Sequence, residues 1–343
     1  MRLAVAQSQE LLHFSSIMKR ALVTGGAGFI GSHVVERLVR EGWQVKILDN
    51  LSSGSHENLL GVSPIEVIEG DIRDIDTCYC ACRDVDCVFH LAAISSVASS
   101  IAAPLTTHDI NLGGTLNILC AARDMHVKRF VFSSSASIYG NAETIPTTEN
   151  QQMAPQSPYA SSKACAEFYC RNFFDLHGLE AVVLRYFNVF GPRQSANSGY
   201  AAVIPLFVQA AVTGRTPTVY GDGLQTRDFV YVESVAEANW LAATMPQAAG
   251  KTFNVAGGTG ISLIDLLQTL ERITGKDMAP EFQPGRPGEV RHSRADITAA
   301  RQFLRFQPRI TLTEGLKRTL ASALPETSAS SAHSVSTLVA APA

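Results

Sequence analysis

The residues best equipped for chemistry lie in the stretch SPYASSK, where Tyr159 and Lys163 stand four apart. Ser157 suits a helix N-cap and Pro158 the first helical position, so Tyr159 falls in the first turn and Lys163 on the same face. A free phenol ionises near pH ~10, and a neighbouring ammonium and the positive end of a helix both favour the phenolate. Tyr159 is thus expected to act as a general base near neutral pH. A Tyr-x-x-x-Lys spacing alone arises often by chance, as a packed ring and a solvated charge. Here it follows a strand-like run ending in Ser133, Ser134 and Ser135, at the sheet edge where open α/β proteins bind ligands. A hydroxyl there can share a hydrogen bond with Tyr159 and a reacting substrate oxygen. Ser135, four residues before Tyr139 in SSSASIYG, is the residue expected in that role.

A second constellation is TGGAGFIG, with Gly25, Gly28 and Gly31 spaced three apart. Glycine permits a tight turn and close approach of a pyrophosphate to main-chain N–H groups, and the helix that follows offers its positive end. This reads as a dinucleotide cradle. Asp49 closes the next strand-like run about 20 residues on, where a carboxylate binds ribose hydroxyls and repels a 2′-phosphate, favouring NAD over NADP. Asp49 has a second reading as a cap of the turn-rich DNLSSG. Asp71, at the end of the third run, is expected to face the adenine.

The elements that must position these groups follow from periodicity. From Ala21, short β-branched runs (ALVTGG, QVKILDN, IEVIEGD, DCVFHLA, KRFVFSS, LEAVVLRYF) alternate with helical patterns, the signature of βαβ units on a parallel sheet. Val34, Val35, Leu38 and Val39 line one face of the first helix, which Gly42 can end. After Phe187 the rhythm breaks into Gly- and Pro-punctuated segments with shorter helices at 203–212 and 262–274. The expected fold is α/β: a Rossmann-like doubly wound parallel sheet over 18–187, with a smaller C-terminal α/β substrate lobe over 188–320. Residues 1–17 read as a disordered extension and 321–343, rich in Ala and Ser, as a tail outside the fold.

Composition excludes several classes. A chain of 343 residues, 46% hydrophobic and 17% charged, is globular and large enough for a deep cleft. A net charge of −3 gives no broad cationic field for nucleic acid or anionic lipid. Its apolar runs fall short of the roughly 20 residues of a membrane span. Seven cysteines, without a leader-like segment, point to a reducing, cytoplasmic setting. Cys78, Cys80, Cys82 and Cys87 lack the spacing of a four-ligand site, the nine histidines show no ligand pattern, and no metal is expected. His90, in VFHLAA, reads as a structural imidazole.

Taken in order, TGGAGFIG, LDNLSSG, HLAA, NLGGT, SSSASIYG, SPYASSK, RYFNVFGPR and RPGEVRHSRAD resemble the UDP-glucose and UDP-N-acetylglucosamine 4-epimerase group of the extended short-chain dehydrogenases, from about residue 19 to about residue 320. The resemblance implies a catalytic trio of Ser135, Tyr159 and Lys163, with Asn111 supporting the site. It implies NAD contacts at Gly25, Gly28, Phe29, Ile30, Gly31, Asp49, Asn50, Asp71, Ile72, Leu91, Ala92, Ala93 and Asn111, besides Tyr159 and Lys163. UDP-sugar contacts are implied at Ser135, Asn188, Val203, Tyr220, Arg227 and Arg286. Guanidinium groups suit pyrophosphate oxygens by forked, charge-assisted bonds. In the resembling epimerases the position of Ser293 lies at the wall beside the sugar, where a bulky aromatic excludes N-acetylated substrates; Ser293 is small, although it also reads as a plain solvated loop residue. A homodimer through the helices near 105–125 and 157–174 is implied too.

The reaction implied is 4-epimerisation: Tyr159 removes the sugar 4-hydroxyl proton as hydride passes from C4 to NAD, the 4-keto sugar turns over, and hydride returns to its other face. The rivals are sugar-nucleotide 4,6-dehydratases, which carry an acidic pair after the hydroxyl residue, and UDP-glucuronate decarboxylases, which have a glutamate nearby. This chain has Ala136 and Ser137 there. A non-catalytic, NAD-binding regulator is the alternative from another class, and such proteins typically lose the Tyr and Lys.

Overall fold

The computed structural model describes residues 19–196, 202–285 and 290–324. Strands β1 (Arg20–Thr24), β2 (Gln44–Asp49) and β3 (Ile65–Glu69) alternate with helices α1 (Phe29–Arg40) and α2 (Ile75–Cys82), which leads into β4 (Cys87–His90). Two short helices, α3 (Val97–Ala102) and α4 (Pro104–His108), run through a wide turn at Asp109–Gly113 into α5 (Gly114–Asp124), followed by β5 (Arg129–Ser135). Then come α6 (Pro158–His177), β6 (Glu180–Tyr186) and β7 (Asn188–Phe190). The helix starts obey the expected chemistry: the Ser157 hydroxyl accepts from the Ala160 amide at 3.1 Å and Pro158 opens α6.

The remainder is α7 (Val203–Thr213), β8 (Thr218–Tyr220), β9 (Thr226–Tyr231), α8 (Val232–Thr244), β10 (Thr252–Val255), β11 (Gly260–Ser262), α9 (Leu263–Thr274), β12 (Glu281–Gln283) and α10 (Leu312–Ala323). Seven strands form one parallel sheet in the order β10-β6-β5-β4-β1-β2-β3. The central strands of such a sheet are buried on both faces and largely apolar, whereas the edge strand β3 exposes Glu66 and Glu69. Val23, Val45, Ile47, Phe89, Val131 and Leu184 pack under α1 and α8, while Leu22, Val88, Phe130 and Phe132 pack with residues of α2, α5 and α6.

Two sequence expectations need correction. The large sheet does not end near Phe187, because α8 packs on α1 and β10 pairs with β6 to add the seventh strand. The second half therefore returns to the first half's sheet, burying Phe253 and Val255. The supposed tail also begins late: α10 continues through Ala323 and buries Leu316 and Leu320 in the lobe's core. Residues 325–343 and 1–18 lie outside the described residues. The lobe has a three-stranded sheet, β11-β9-β7, and a two-stranded one, β12-β8, with α7, α9 and α10 packed around Phe190, Phe207 and Leu266.

Candidate active site

The carboxyl ends of β1, β2, β4 and β5 converge where the strand order reverses, between β1 and β4, which is where open α/β sheets hold ligands. The glycine turn is shaped by contacts that admit no side chain. Gly25 has φ +69° and donates to Leu48 O at 2.8 Å; a Cβ there would lie 2.8 Å from Ala92 N. A Cβ on Gly31 would lie 2.0 Å from Gly25 O. The Thr24 hydroxyl accepts from both Leu91 N and Ala92 N at 3.2 Å, so the turn and the end of β4 form one cradle. These residues fit a dinucleotide. Phe29, Ile30 and Gly31 open α1 behind it.

Asp49 is buried at the end of β2 and accepts from Ala27 N and Leu51 N, each at 2.9 Å. It therefore caps the turn, as its second reading had it, and its oxygens retain lone pairs for ribose hydroxyls. Asp71 accepts from Asn50 at 2.9 Å and from Arg73 at 3.0 and 2.8 Å. The Arg73 bond, the larger influence, holds this carboxyl well below the usual range. A contact between Asp71 and adenine would have to share oxygens already engaged. Ile72 points its side chain into the core against α2 and α5, so any cofactor contact by it falls to its main chain. Ala93 is half-buried beside Ala92.

At the end of β5 three successive serines each hold a different partner. Ser133 O accepts from Lys163 Nζ at 2.8 Å; Ser134 donates to Glu167; Ser135 accepts from Ser137 N at 3.1 Å and shares a hydrogen bond with Tyr159. The expected trio is thus brought together, but its electrostatics differ from expectation. Burial raises the Tyr159 phenol, and the Ser135 bond offsets this only in part. Lys163 is pushed down to about 8 by burial, with Cys170 and Glu167 opposing. The ammonium is aimed at a carbonyl rather than at the phenol, so within the protein alone the phenolate is not favoured.

Asn111 is 1% exposed and lies in the wide turn before α5, a local geometry frequent at functional sites. Its amide accepts from Ile94 N at 2.8 Å and donates to Ile94 O at 3.0 Å and to Ser162 at 3.2 Å, bracing the loop after β4 against α6. His90 is buried between Thr24 and Thr115 at 2.7 and 2.9 Å, and burial pushes it down to about 3. It is a neutral structural imidazole. Burial likewise raises the thiols of Cys78 and Cys82 to about 12.

The expected substrate contacts sit on the lobe side. Asn188 is half-buried at the start of β7 and donates to Asp228 O at 3.3 Å. Val203 opens α7, Tyr220 ends β8 with 37% exposure, and Arg227 on β9 donates to Thr226 O at 2.9 Å. Ser293 N donates to Thr226 O at 3.1 Å, which sets Ser293 beside Arg227. Arg286 lies outside the described residues.

Sequence reasoning missed Asp228, Glu167 and Arg185. Asp228 is fully buried and accepts from Gly258 N and Ala295 N at 3.0 Å, and burial lifts it to about 6 despite those bonds. The signal for Glu167 was available: it stands four residues after Lys163, as Lys163 does after Tyr159.

Residues 21–256 match the model of the NAD dependent epimerase/dehydratase family. The chain belongs to this family. Its cofactor is NAD. Over 306 residues it is 40% identical to a UDP-glucose 4-epimerase of Mycolicibacterium smegmatis, covering 88% of this chain and 97% of that one. Among solved structures it resembles a UDP-N-acetylglucosamine 4-epimerase of Methanobrevibacter ruminantium in complex with UDP-N-acetylmuramic acid, with a TM-score of 0.85, 40% identity and coverage of 89% and 98%. It also resembles a UDP-glucose 4-epimerase of Thermus thermophilus in complex with NAD, with a TM-score of 0.80, 37% identity and coverage of 88% and 98%. Among the described residues no helix is long and apolar enough to cross a membrane.

Proposed function

We propose that this enzyme is an isomerase that inverts C4 of a UDP-hexose through a transient 4-keto sugar, and that its pocket admits a 2-acetamido group. The observation that carries the reading is the meeting of Ser135, Tyr159 and Lys163 at the end of β5, beside the glycine cradle. The names of the similar proteins support the substrate class. NAD, when bound, supplies the hydride acceptor and donor.

The chain's own groups supply the rest. Tyr159 takes the 4-hydroxyl proton and returns it after the sugar has turned, and Ser135 hydrogen-bonds the same oxygen. Because burial raises the phenol, the base needs positive charge nearby when it acts, and Lys163, one turn along α6, is the group of this chain that would supply it. Gly25, Gly28 and Gly31 seat the pyrophosphate of NAD on main-chain N–H groups, with Asp49 at the ribose. Arg227 and Arg286 grip the pyrophosphate of the substrate, Asn188, Val203 and Tyr220 line its path, and Ser293 leaves space at C2. Ala136 and Ser137 provide no acid beyond the trio, which argues against dehydration and decarboxylation.

Leu105, Ile101, Phe168 and Leu176 are 61–80% exposed along α3, α4 and α6, an apolar face suited to the homodimer expected from the resemblance. Incubation with UDP-glucose, UDP-galactose and their 2-acetamido counterparts, followed by chromatography, tests the function: interconversion of C4 epimers is expected. Loss of water from these sugars, loss of carbon dioxide from UDP-glucuronate offered in parallel, or no reaction with any UDP-hexose would sink the reading. A monomer by light scattering at micromolar concentration would remove the dimer.

A further inference from the structure

Beneath the catalytic end of β5 lies a second layer of charge that the reaction as described does not use. Glu167 stands one turn beyond Lys163 on α6, and Glu167 and Arg185 of β6 are 5% and 4% exposed. Arg185 donates to the carboxylate from Nε at 3.0 Å and from Nη2 at 2.7 Å. Its Nη1 reaches the Tyr139 hydroxyl and Glu149 O, each at 2.8 Å, and Tyr139 in turn donates to Asn254 Oδ1 at 2.7 Å. The Ser134 hydroxyl donates to Glu167 Oε1. One strand end therefore ties Lys163 through Ser133, the ion pair through Ser134 and Tyr159 through Ser135.

Stability alone does not call for such a pair, since well-packed apolar residues often replace buried ion pairs without loss. Its placement does matter electrically. The titratable groups around Lys163 are Tyr159, Glu167 and Cys170 on its own helix and the neutral His90 on β4, with Arg185 and Tyr139 behind Glu167. His108 and Asp109, at the turn packed against α6, are exposed to solvent. Glu167 is thus the one carboxylate buried close to Lys163 among the described residues, and Arg185 tempers it.

We propose that the Glu167–Arg185 pair is a positioning device for the reaction: Glu167 keeps Lys163 charged, Arg185 limits that influence, and Ser134 locks the pair to the strand that carries Ser135. Lys163 is poised for such control, because burial already brings it down to about 8. Removing Glu167 leaves Arg185 as an uncompensated cation, which discharges Lys163. Removing Arg185 leaves Glu167 uncompensated, which holds the proton on Lys163 to higher pH. Only the turnover readout below rests on the proposed function.

The test uses the full chain with NAD bound and 13C-labelled lysine, following the Lys163 Cε resonance, assigned by its loss in Lys163→Met, against pH. Glu167→Gln should lower the Lys163 midpoint by about one unit, a tenfold change in its ionisation constant, and Arg185→Gln should raise it by about half a unit or more. The double variant should return to within about half a unit of the parent. Opposite shifts are what a merely structural role would not produce. An unchanged midpoint, or a shift in the wrong direction, in either single variant overturns the proposal, so it stays testable if one of them fails to fold. With UDP-glucose as substrate, the alkaline limb of kcat should move with the resonance while KM stays within about twofold. Opposite shifts without turnover of any UDP-hexose would leave this proposal standing and remove the functional one.

Discussion

The two sides of the cleft are built differently. On the side of the large sheet nearly every polar group is held from behind: Lys163 by Ser133 O, Ser134 by Glu167, Asn111 by Ile94 and Ser162, and Leu91 N and Ala92 N by Thr24. On the lobe side Tyr220 is exposed, Asn188 makes one bond at 3.3 Å and Ser293 is half-buried. Main chain is pinned there too, Ser293 N to Thr226 O, Thr226 N to Arg291 O and Ala295 N to Asp228, and Arg227 reaches Thr226 O at 2.9 Å. The lesson is a division of labour. Groups that move hydride and proton must be preorganised to fractions of an ångström, whereas groups that choose a substrate need only a firm wall bearing the right side-chain volume.

The comparison breaks most severely at Tyr159. Tyr159→Phe removes the hydroxyl proposed to transfer the proton and leaves the ring, so epimerisation should fall about 10²–10⁴-fold, the usual contribution of a general acid–base group. NAD retention and the melting temperature should barely change. Turnover within about threefold of the parent would show that the sheet side does not supply the base.

The next effect is on the cradle. Alanine is the better helix former by about 1 kcal/mol, so Gly31→Ala should stabilise α1 if propensity governed. The 2.0 Å approach to Gly25 O outweighs it, because the obstacle is main chain and cannot swing aside. NAD affinity should drop at least about tenfold, equivalent to about 1.4 kcal/mol, as read by cofactor fluorescence titration. Unchanged affinity would mean that the turn yields easily and is not preorganised.

The same division explains what was legible in the sequence. The glycine turn, Asp49 and the Tyr159–Lys163 spacing are local: each needs one turn or one helix face to make sense, and these the residue order states directly. The strand β10 was missed because Thr252–Val255 is short and lies after a stretch of lobe sequence, and pairing with β6 is non-local. The direction of the Tyr159 shift was misread for a related reason. Spacing places Lys163 near the phenol, but only the packed structure shows how deeply both are desolvated and that the ammonium is turned toward Ser133 O. Asp228 and Arg185 left no local trace, since their partners are 67 and 18 residues away.

The smallest expected effect is also the one that probes the lobe side by itself. Ser293 follows the bridge between Thr226 and His292, and its amide is tied to Thr226 O at 3.1 Å. Two residues on, Ala295 N is tied to the buried Asp228 at 3.0 Å. A ring introduced by Ser293→Tyr would therefore sit on a main chain that cannot easily retreat, and would have to occupy space on the cleft side or turn out to solvent. In the first case it overlaps the volume of a 2-acetamido group, whereas a plain 2-hydroxyl still fits, so overpacking acts on one substrate pair alone. Turnover of acetylated UDP-sugars should fall about tenfold or more relative to UDP-glucose and UDP-galactose, the change that about 1.4 kcal/mol of discrimination gives. The measurement is kcat/KM for both substrate pairs in both proteins. A ratio that moves by less than about threefold would mean that the ring turns to solvent and that Ser293 is an ordinary loop residue; the lobe would then need another position to read C2.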